Sequence, residues 1–374
     1  MKKITILCLH LGVGGIEKYI SSLSKMLEQN YKIEIISTYK TLDKPAFDFS
    51  DKVKIKYLIN DRPYKEELKD SIKKLKLISI VKYLFKNAKL LMLKYSENIK
   101  IIKSINSDYI ITTRDFHNKL VGKYAKDKII KIATEHNHHN NNSRYIKKVV
   151  TSLKNIDYFV VVSEDLKEFY KNKIGDTKCL YIPNVIDNIY DKPKYNTNYN
   201  LVSVGRFSKE KAFEDLIEVI GIVKKDIPNI HLNLVGDGKL KNDITNKIES
   251  LDLKGNIKLC GYLSQSEIKK VMLDSSLYVM TSLTESFGLV LIEANSYGIP
   301  CIAFDSASGA KQIIENKELL ISNRDKEKMA KLIVKLLKDK DKLQAYGKEA
   351  YNNCQKYLLA NVKKKWLDLL SNNK

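Results

Sequence analysis

Short apolar runs alternate along the chain with longer stretches in which apolar residues recur every three or four positions. In the first half the short runs lie at 4–9, 32–37, 109–112, 129–133 and 158–162. Runs of this length are typical of buried parallel strands, and the periodic stretches between them predict helices. The first half is therefore expected to form βαβ units around a parallel sheet.

The second half repeats this pattern after a polar stretch at 187–200 that is rich in Asn, Asp, Tyr and Lys. Its short apolar runs lie at 201–204, 231–235, 257–260, 277–280 and 300–304. We interpret the polar stretch as a linker between two doubly wound, Rossmann-like α/β domains, which suits a length of 374 residues. The expected domains are 1–185 and 186–355, facing a cleft, with ligand sites at the carboxyl ends of their strands. A closing helix is expected at about 356–374, and whether it packs back on the first domain stays open.

The composition is that of a soluble globular protein, with 44% hydrophobic and 29% charged residues and no apolar run of membrane-spanning length. The chain starts with a strand-like sequence and lacks the cleavage pattern of a signal peptide. Its five cysteines are scattered and include no Cys-x-x-Cys pair. This usage favours a reducing cytoplasm over disulfides or structural zinc.

The net charge of +22 is concentrated in the first half, where residues 1–185 contain 36 Lys and Arg against 20 Asp and Glu. A helical wheel of residues 76–94 separates apolar from basic side chains. The apolar side consists of Leu77, Ile78, Val81, Leu84, Phe85, Ala88, Leu91 and Met92. The basic side consists of Lys76, Lys82, Lys86, Lys89 and Lys94, and Leu90 and Leu93 fall there too.

Two interpretations of this helix stay open. In the first, the helix lies on an anionic membrane surface. In the second, it packs on its own domain and presents a solvated basic face. Nucleic-acid binding fits less well, because lysines extend through the entire chain and no recognised binding motif accompanies them.

A glycine-containing loop follows the first predicted strand at 11–17. It resembles a dinucleotide fingerprint only superficially, because Glu17 stands at the third glycine position, and nicotinamide binding is disfavoured. The amides of Gly14 and Gly15 at a helix start are suited to a phosphate or an acceptor. A plain glycine-rich turn is the alternative.

A second helix start at 284–293 follows the strand at 277–280. Glu285 is expected just before the helix and Glu293 about two turns inside it. The unpaired amides of Phe287, Gly288 and Leu289 would face an anion such as a diphosphate, while Glu293 is placed to accept hydrogen bonds from sugar hydroxyls. Taken alone, the two glutamates favour an ordinary solvated pair on a surface helix.

Further candidates follow other strand ends. Arg206 and Lys211 come after the first strand of the second domain, where their charges suit a diphosphate. Gly261 and Tyr262 follow the strand at 257–260 and are candidates for contacts to a nucleobase. His136 follows the strand at 129–133 and is a candidate for contact with a sugar hydroxyl.

Three other histidines, His117, His138 and His139, are less informative. His136 forms a cluster with His138 and His139, but no acidic or cysteine residue stands at ligand spacing, so a surface loop is favoured over a metal site. His117 is a weaker candidate for the cleft.

Taken together, these motifs resemble glycosyltransferase family 4 over nearly the whole chain, most strongly from 204 to 314. The motifs are Gly14-Gly-Ile-Glu17, Ala133-Thr-Glu-His136, Ile182-Pro-Asn184, Gly205-Arg206 with Lys211, Val235-Gly-Asp-Gly238, and Glu285-Ser-Phe-Gly-Leu with Glu293-Ala-Asn-Ser-Tyr-Gly-Ile-Pro300. The resemblance implies a GT-B fold and a retaining transfer of a sugar from a nucleotide diphosphate sugar, with no obligatory metal or other cofactor.

The resemblance also implies a role for each matched residue. Arg206 and Lys211 become diphosphate ligands and Glu293 the ribose ligand. Glu285 and the amides of Phe287, Gly288 and Leu289 hold the donor sugar and phosphate. His136 sits beside the sugar ring, and Gly14 and Gly15 lie near the reacting phosphate and the acceptor.

The sequence departs from the family pattern at three places. Val185 and Ala212 stand where glycine is usual, and 317–320 lacks the usual Asn-Gly. The first two departures are expected to alter loop geometry, and none removes a charged group needed for the diphosphate.

The expected activity is transfer of a hexose or N-acetylhexosamine; the resemblance does not fix which sugar, and UDP-linked donors are the commoner expectation. The expected acceptor is a glycan or a polyprenyl-linked molecule in cell-surface polysaccharide synthesis, and the expected location is the cytoplasmic face of the membrane. Two alternatives stay open: a nucleotide-sugar epimerase with the same architecture, and a non-catalytic protein that binds sugar nucleotides or polyanions.

Overall fold

The computed structural model describes residues 1–186, 190 and 193–371. The chain divides into two compact units, Met1–Ile182 and Pro183–Lys374, so the division falls three residues before the expected boundary at 185. Part of the predicted linker, at 187–189 and 191–192, lies outside the described residues, as does the end of the predicted closing helix at 372–374.

The first unit is a parallel sheet with the strand order β3-β2-β1-β4-β5-β6-β7. Its described strands are β1 (Lys3–Cys8), β2 (Lys32–Tyr39), β3 (Lys54–Ile59), β4 (Tyr109–Thr112), β5 (Ile130–Glu135), β6 (Tyr158–Val161) and β7 (Lys178–Tyr181). Its described helices are α1 (Gly15–Leu27), α2 (Lys65–Lys73), α3 (Leu77–Ser104), α4 (Asp115–Tyr124), α5 (Ser143–Ser152) and α6 (Glu164–Tyr170).

The second unit is a parallel sheet with the order β10-β9-β8-β11-β12-β13. Its described strands are β8 (Asn200–Val204), β9 (His231–Val235), β10 (Ile257–Gly261), β11 (Leu277–Met280), β12 (Cys301–Phe304) and β13 (Leu320–Ile321). Its described helices are α7 (Phe213–Val223), α8 (Lys241–Ser250), α9 (Gln265–Leu273), α10 (Leu289–Ser296), α11 (Ser308–Ile313), α12 (Lys326–Lys338), α13 (Lys340–Cys354) and α14 (Leu359–Ser371).

Burial explains which strands the hydrophobic pattern predicts. The central strands β4 and β11 are buried at every position, so they are continuous apolar runs, and the doubly wound α/β architecture is confirmed. The strands β3 and β7 are at the edges of the first sheet and are only partly buried. Their polar and apolar residues are mixed, which is why no strand was predicted there.

The basic helix of the first unit exists as α3, but it packs with a different side from the one that the wheel indicates. Leu90 is buried in a small core with Tyr39 and Ile59, and Leu93 packs against the same core. The residues of the predicted apolar side are exposed instead. Among the described residues, no helix combines the length and the apolar character that crossing a bilayer requires.

His117 is a core residue rather than a candidate for a ligand site. Its side chain on α4 is fully buried, and its Nε2 lies 3.0 Å from the Thr38 hydroxyl, which also hydrogen-bonds Asn98 of α3. Burial, with smaller contributions from the charges of Lys94 and Arg114, lowers the pKa of His117 to about 3. The neutral imidazole therefore helps to hold α3 and α4 against β2.

Candidate functional site

The second unit brings Lys211 and Glu285 together at the carboxyl edge of its sheet. The loop after β8 contains Arg206 and a short 3-10 turn, Lys209–Lys211, while Glu285 follows the neighbouring strand β11. The Lys211 ammonium donates to the Glu285 carboxylate at 2.5 Å, and both side chains are about four-fifths buried, at 19% and 21% exposure. Two loops from adjacent strands therefore meet through one ion pair.

The rest of this loop is also fixed. The hydroxyl of Thr281 donates to the carbonyl of Lys211 at 3.2 Å, which ties the turn to the end of β11. The Arg206 side chain is exposed, and no hydrogen bond or ion pair of its guanidinium is found in the described part of the chain. The edge thus presents one cation held by a carboxylate and a second cation open to solvent.

Ala212 adopts the conformation that the missing glycine would favour. Its φ and ψ are both 47°, in the left-handed region, and it joins the 3-10 turn to α7. The loop geometry is therefore the one that glycine favours, reached with the steric cost that a Cβ carries there. The expectation that this substitution alters the loop is not supported by the backbone.

The helix that follows Glu285 begins later than expected. Gly288, at φ 84°, precedes the first residue Leu289, so Glu293 is the fifth residue, little more than one turn inside rather than two. Glu293 is half-buried. The N-terminal amides of α10 consequently lie only a few residues along the chain from both Glu285 and Glu293.

The segment between Glu285 and α10 is held in place by contacts with α11. The amide of Gly309 donates to the Glu285 carbonyl at 2.8 Å, and a Cβ at Gly309 would lie 2.7 Å from the backbone of Phe287. The Phe287 ring is buried against Tyr357, with ring centroids 5.5 Å apart. Phe287 therefore offers only its main chain to a ligand, while its side chain anchors the loop in the core.

Gly261 and Tyr262 lie farther along the same edge. They are at the end of β10, which is separated from β8 by β9, so the ends of β10 and β8 are about 10 Å apart across the sheet. The Tyr262 side chain is 73% exposed. The structure places this pair beside the Lys211–Glu285 pair but not in contact with it.

In the first unit, His136 lies at the carboxyl edge of the sheet, directly after β5. Its Nε2 is 3.0 Å from the Thr134 hydroxyl, and its ring packs on Tyr19 of α1 with centroids 4.1 Å apart. The imidazole is half-buried. His136 is thus held between a strand end and the helix that begins at the glycine loop.

Glu135 is a residue of this site that the sequence analysis missed. Its buried carboxylate accepts hydrogen bonds from the amides of His136 and Asn137, at 2.9 and 2.8 Å, and from the Tyr145 hydroxyl at 2.9 Å. Burial raises the pKa of Glu135, although these three donors oppose that shift. The available signal was a glutamate directly before His136, which was already a candidate.

The Glu17 carboxylate packs against the glycine loop. Gly14 has an extended backbone, and a Cβ there would lie 2.2 Å from the Glu17 carboxylate, whose other oxygen is 3.4 Å from Nδ1 of His10. Gly15 is exposed, and a Cβ there would meet open space. A buried carboxylate at this helix start disfavours a phosphate beside Gly14, which agrees with the departure from a dinucleotide fingerprint.

The histidine cluster is organised by stacking. The His139 ring is buried between His138 and Phe169, with centroids 4.4 and 3.7 Å away. Within the residues that the structure describes, no group of three or more His, Cys, Asp or Glu side chains is arranged to hold a metal ion.

Comparison with known proteins finds a family model that matches the second unit and relatives that align with more of the chain. Residues 186–353 match the family described as "Glycosyl transferases group 1". An exopolysaccharide phosphotransferase of Streptomyces coelicolor is 25% identical over 372 residues, which is 96% of this chain and 39% of that protein. A poly(glycerol-phosphate) alpha-glucosyltransferase of Bacillus subtilis is 28% identical over 62% of this chain and 36% of that protein. The chain thus spans less than half the length of these two relatives.

Solved structures share the fold. A Staphylococcus aureus TarM mutant in complex with fondaparinux, alpha-GlcNAc-glycerol and UDP is similar over 99% of both chains, with a TM-score of 0.79 and 18% identity. At that identity, the similarity shows the fold alone. The expected GT-B fold, two Rossmann-like parallel-sheet domains, is therefore confirmed, and residues 186–353 resemble the glycosyl transferases group 1 family.

Proposed function

We propose that this protein is a retaining glycosyltransferase that moves a hexose or N-acetylhexosamine from a UDP-linked donor to a glycan or polyprenyl-linked acceptor. The observation that carries the proposal is the Lys211–Glu285 pair in front of the N-terminus of α10. A cation, a carboxylate and unpaired helix amides at one strand edge suit a sugar joined to a diphosphate.

The donor site is assigned as follows. We assign the diphosphate to a position between Arg206, Lys211 and the first amides of α10, because each of these groups favours negative charge. Glu285 holds hydroxyls of the donor sugar, and Glu293 holds the ribose. Because Lys211 is already bound to Glu285, donor binding places this ammonium between a carboxylate and a phosphate, which orients both.

In this mechanism, the catalytic contribution of the second unit is electrostatic. As the bond from the sugar to the diphosphate breaks, negative charge grows on the leaving phosphate and positive charge on the sugar ring. Arg206, Lys211 and the helix amides stabilise the phosphate, a contribution of up to several kcal/mol. In a front-face retaining reaction the leaving phosphate accepts the proton of the acceptor hydroxyl, and no metal or other cofactor is required.

The first unit contributes the acceptor side. His136 is assigned a position beside the transferred sugar, and Gly14 and Gly15 positions near the acceptor. The hydrogen bonds from the amides of His136 and Asn137 to Glu135 support this role, because they hold the loop in one conformation.

The names of the relatives support a cell-surface polymer as the acceptor. One acts on poly(glycerol-phosphate) and another on an exopolysaccharide. We accordingly propose a role in cell-surface polysaccharide synthesis at the cytoplasmic face of the membrane.

One relative suggests a second candidate reaction, because it is named a phosphotransferase. Transfer of a sugar alone from a UDP-sugar releases UDP, whereas transfer of the sugar with its phosphate releases UMP. Incubating the protein with a panel of UDP-sugars and a glycan acceptor, and measuring both nucleotides, therefore distinguishes the two reactions.

The same experiment tests the remaining alternatives. An epimerase converts the donor when no acceptor is present. A non-catalytic binding protein is stabilised against heat by the donor but releases no nucleotide. The proposal predicts acceptor-dependent release of UDP, which falls at least about 100-fold in a folded Arg206→Ala variant. Full turnover by that variant would show that the diphosphate site is wrongly assigned.

A further inference from the structure

The long helix α3 leaves a stripe of large apolar side chains uncovered. These residues recur every three or four positions, so they share one face of the helix, and each is between 53% and 88% exposed. They are Leu77, Ile78, Val81, Leu84, Phe85, Leu91 and Met92, here called the α3 stripe. From 77 to 92 the stripe is about 23 Å long. Contiguous apolar surface of this extent is uncommon on a soluble protein and marks an interaction site.

The opposite side of α3 is fixed to the first unit, so the helix is not free to rotate the stripe inward. Leu90 is buried against β2 and β3, and Asn98 hydrogen-bonds Thr38 of β2. The side chain of Asn87 accepts a hydrogen bond from the amide of Tyr64 at 2.9 Å. Exposure of the stripe is therefore a consequence of how this helix packs.

The turn before α3 extends the same surface. Leu75 is 81% exposed, and its φ of 51° is in the left-handed region that a bulky side chain rarely adopts. Its amide donates to the carbonyl of Ile72, whose side chain is also exposed. The fold thus holds another apolar side chain outward at some steric cost.

The charges around the stripe indicate what covers it. From 71 to 96 the chain has seven lysines and no acidic residue. Among them Lys73, Lys76, Lys82 and Lys89 are exposed, and none makes an ion pair within the described residues. A second copy of this chain would bring two strongly basic units together, and their repulsion disfavours self-association.

We propose that the α3 stripe enters the interfacial region of an anionic lipid bilayer, with Lys82 and Lys89 at the level of the headgroups. A bilayer accepts an apolar face of any length, and lysine side chains can extend from it to reach phosphate groups. This proposal rests on the membrane location in the proposed function and deepens it, because it names the surface that makes the contact.

The test is flotation of the purified full chain with vesicles of phosphatidylcholine, with and without phosphatidylglycerol, at low and high salt. An Ile78→Asp, Phe85→Asp double variant is expected to lower the affinity more than about 100-fold, because it places two charges in the apolar layer. A Lys82→Gln, Lys89→Gln double variant should bind about fivefold more weakly for each lysine at low salt. Leu251→Asp, at an exposed position of the second unit, is the matched control and should bind like the wild type.

A fluorescent variant reports insertion directly. Trp366 is the chain's one tryptophan and is fully buried, so it gives a constant background. A Phe85→Trp side chain at the stripe should then shift its emission to shorter wavelength on vesicle binding, and a probe that stays in water should not.

Two results would overturn the proposal: vesicle binding by the Ile78→Asp, Phe85→Asp variant equal to that of the wild type, or a wild-type dimer that this variant dissociates without any vesicle binding. Thermal stabilisation by UDP-sugars, measured in the same variants without vesicles, reports on donor binding alone. A failure of membrane docking is therefore distinguishable from a failure of the proposed transferase activity.

Discussion

Acidification should destabilise the first unit through His117. The imidazole is fully buried with its pKa lowered to about 3, whereas in the unfolded chain it titrates near its ordinary value of 6.5. Below pH 6.5 the unfolded state binds a proton that the folded state does not, so stability that is complete above that pH is lost progressively down to about pH 3. Between pH 7 and pH 5 the loss from this group is about 2 kcal/mol.

The assay is native-state hydrogen exchange of peptides from β4, a fully buried strand at the centre of the same unit. A His117→Gln variant keeps a polar side chain near Thr38 and removes the titration. The free energy of opening should therefore fall by about 2 kcal/mol more in the wild type than in the variant when the pH is lowered from 7 to 5. An equal fall in both proteins would refute the assignment of a buried neutral histidine.

Three further substitutions test the geometry of the candidate site. Ala212→Gly should leave donor binding intact and raise the free energy of unfolding by up to about 1 kcal/mol, because glycine relieves the left-handed strain; a loss of stability in urea unfolding would contradict this. Glu135→Ala should lower unit stability by about 2–4 kcal/mol by leaving two amides without their acceptor, whereas the control Glu135→Gln should cost less than about 1 kcal/mol. Gly309→Ala should push the Phe287 backbone away and weaken UDP binding by at least about tenfold in calorimetry, and unchanged affinity would separate that loop from the site.

The parts of the fold that were predictable are those in which burial alone determines the residue type. Central strands such as β4 and β11 are buried on both faces, so their sequence is apolar throughout. The edge strands β3 and β7 escaped prediction because most of their residues are only partly buried, so polar and apolar residues are mixed in them. The two-residue strand β13 is too short for any pattern.

The α3 helix shows a limit of periodicity. The wheel identified a correct apolar stripe, but the core is contacted instead by Leu90 and Leu93, which fall among the lysines. A wheel reports which residues share a face and not which face packs, because that choice depends on the surface of the sheet next to it.

The candidate site likewise contains residues that the sequence could predict and one that it could not. Lys211, Glu285 and His136 were predictable because each lies in the segment that follows the carboxyl end of a predicted strand, where ligand sites of parallel sheets occur. Glu135 was not, since its role depends on amides and a hydroxyl that only the folded chain brings to it.

The Lys211–Glu285 edge is proposed to bind the diphosphate of a sugar donor for transfer. The most direct measurement is acceptor-dependent UDP release by the wild type and by a Lys211→Met variant of equal thermal stability, with the anomeric configuration of the product read by NMR. We expect release by the wild type, retention of the donor's configuration, and a loss of at least about 100-fold in the variant. Equal rates in the two proteins, or an inverted product, would contradict the account.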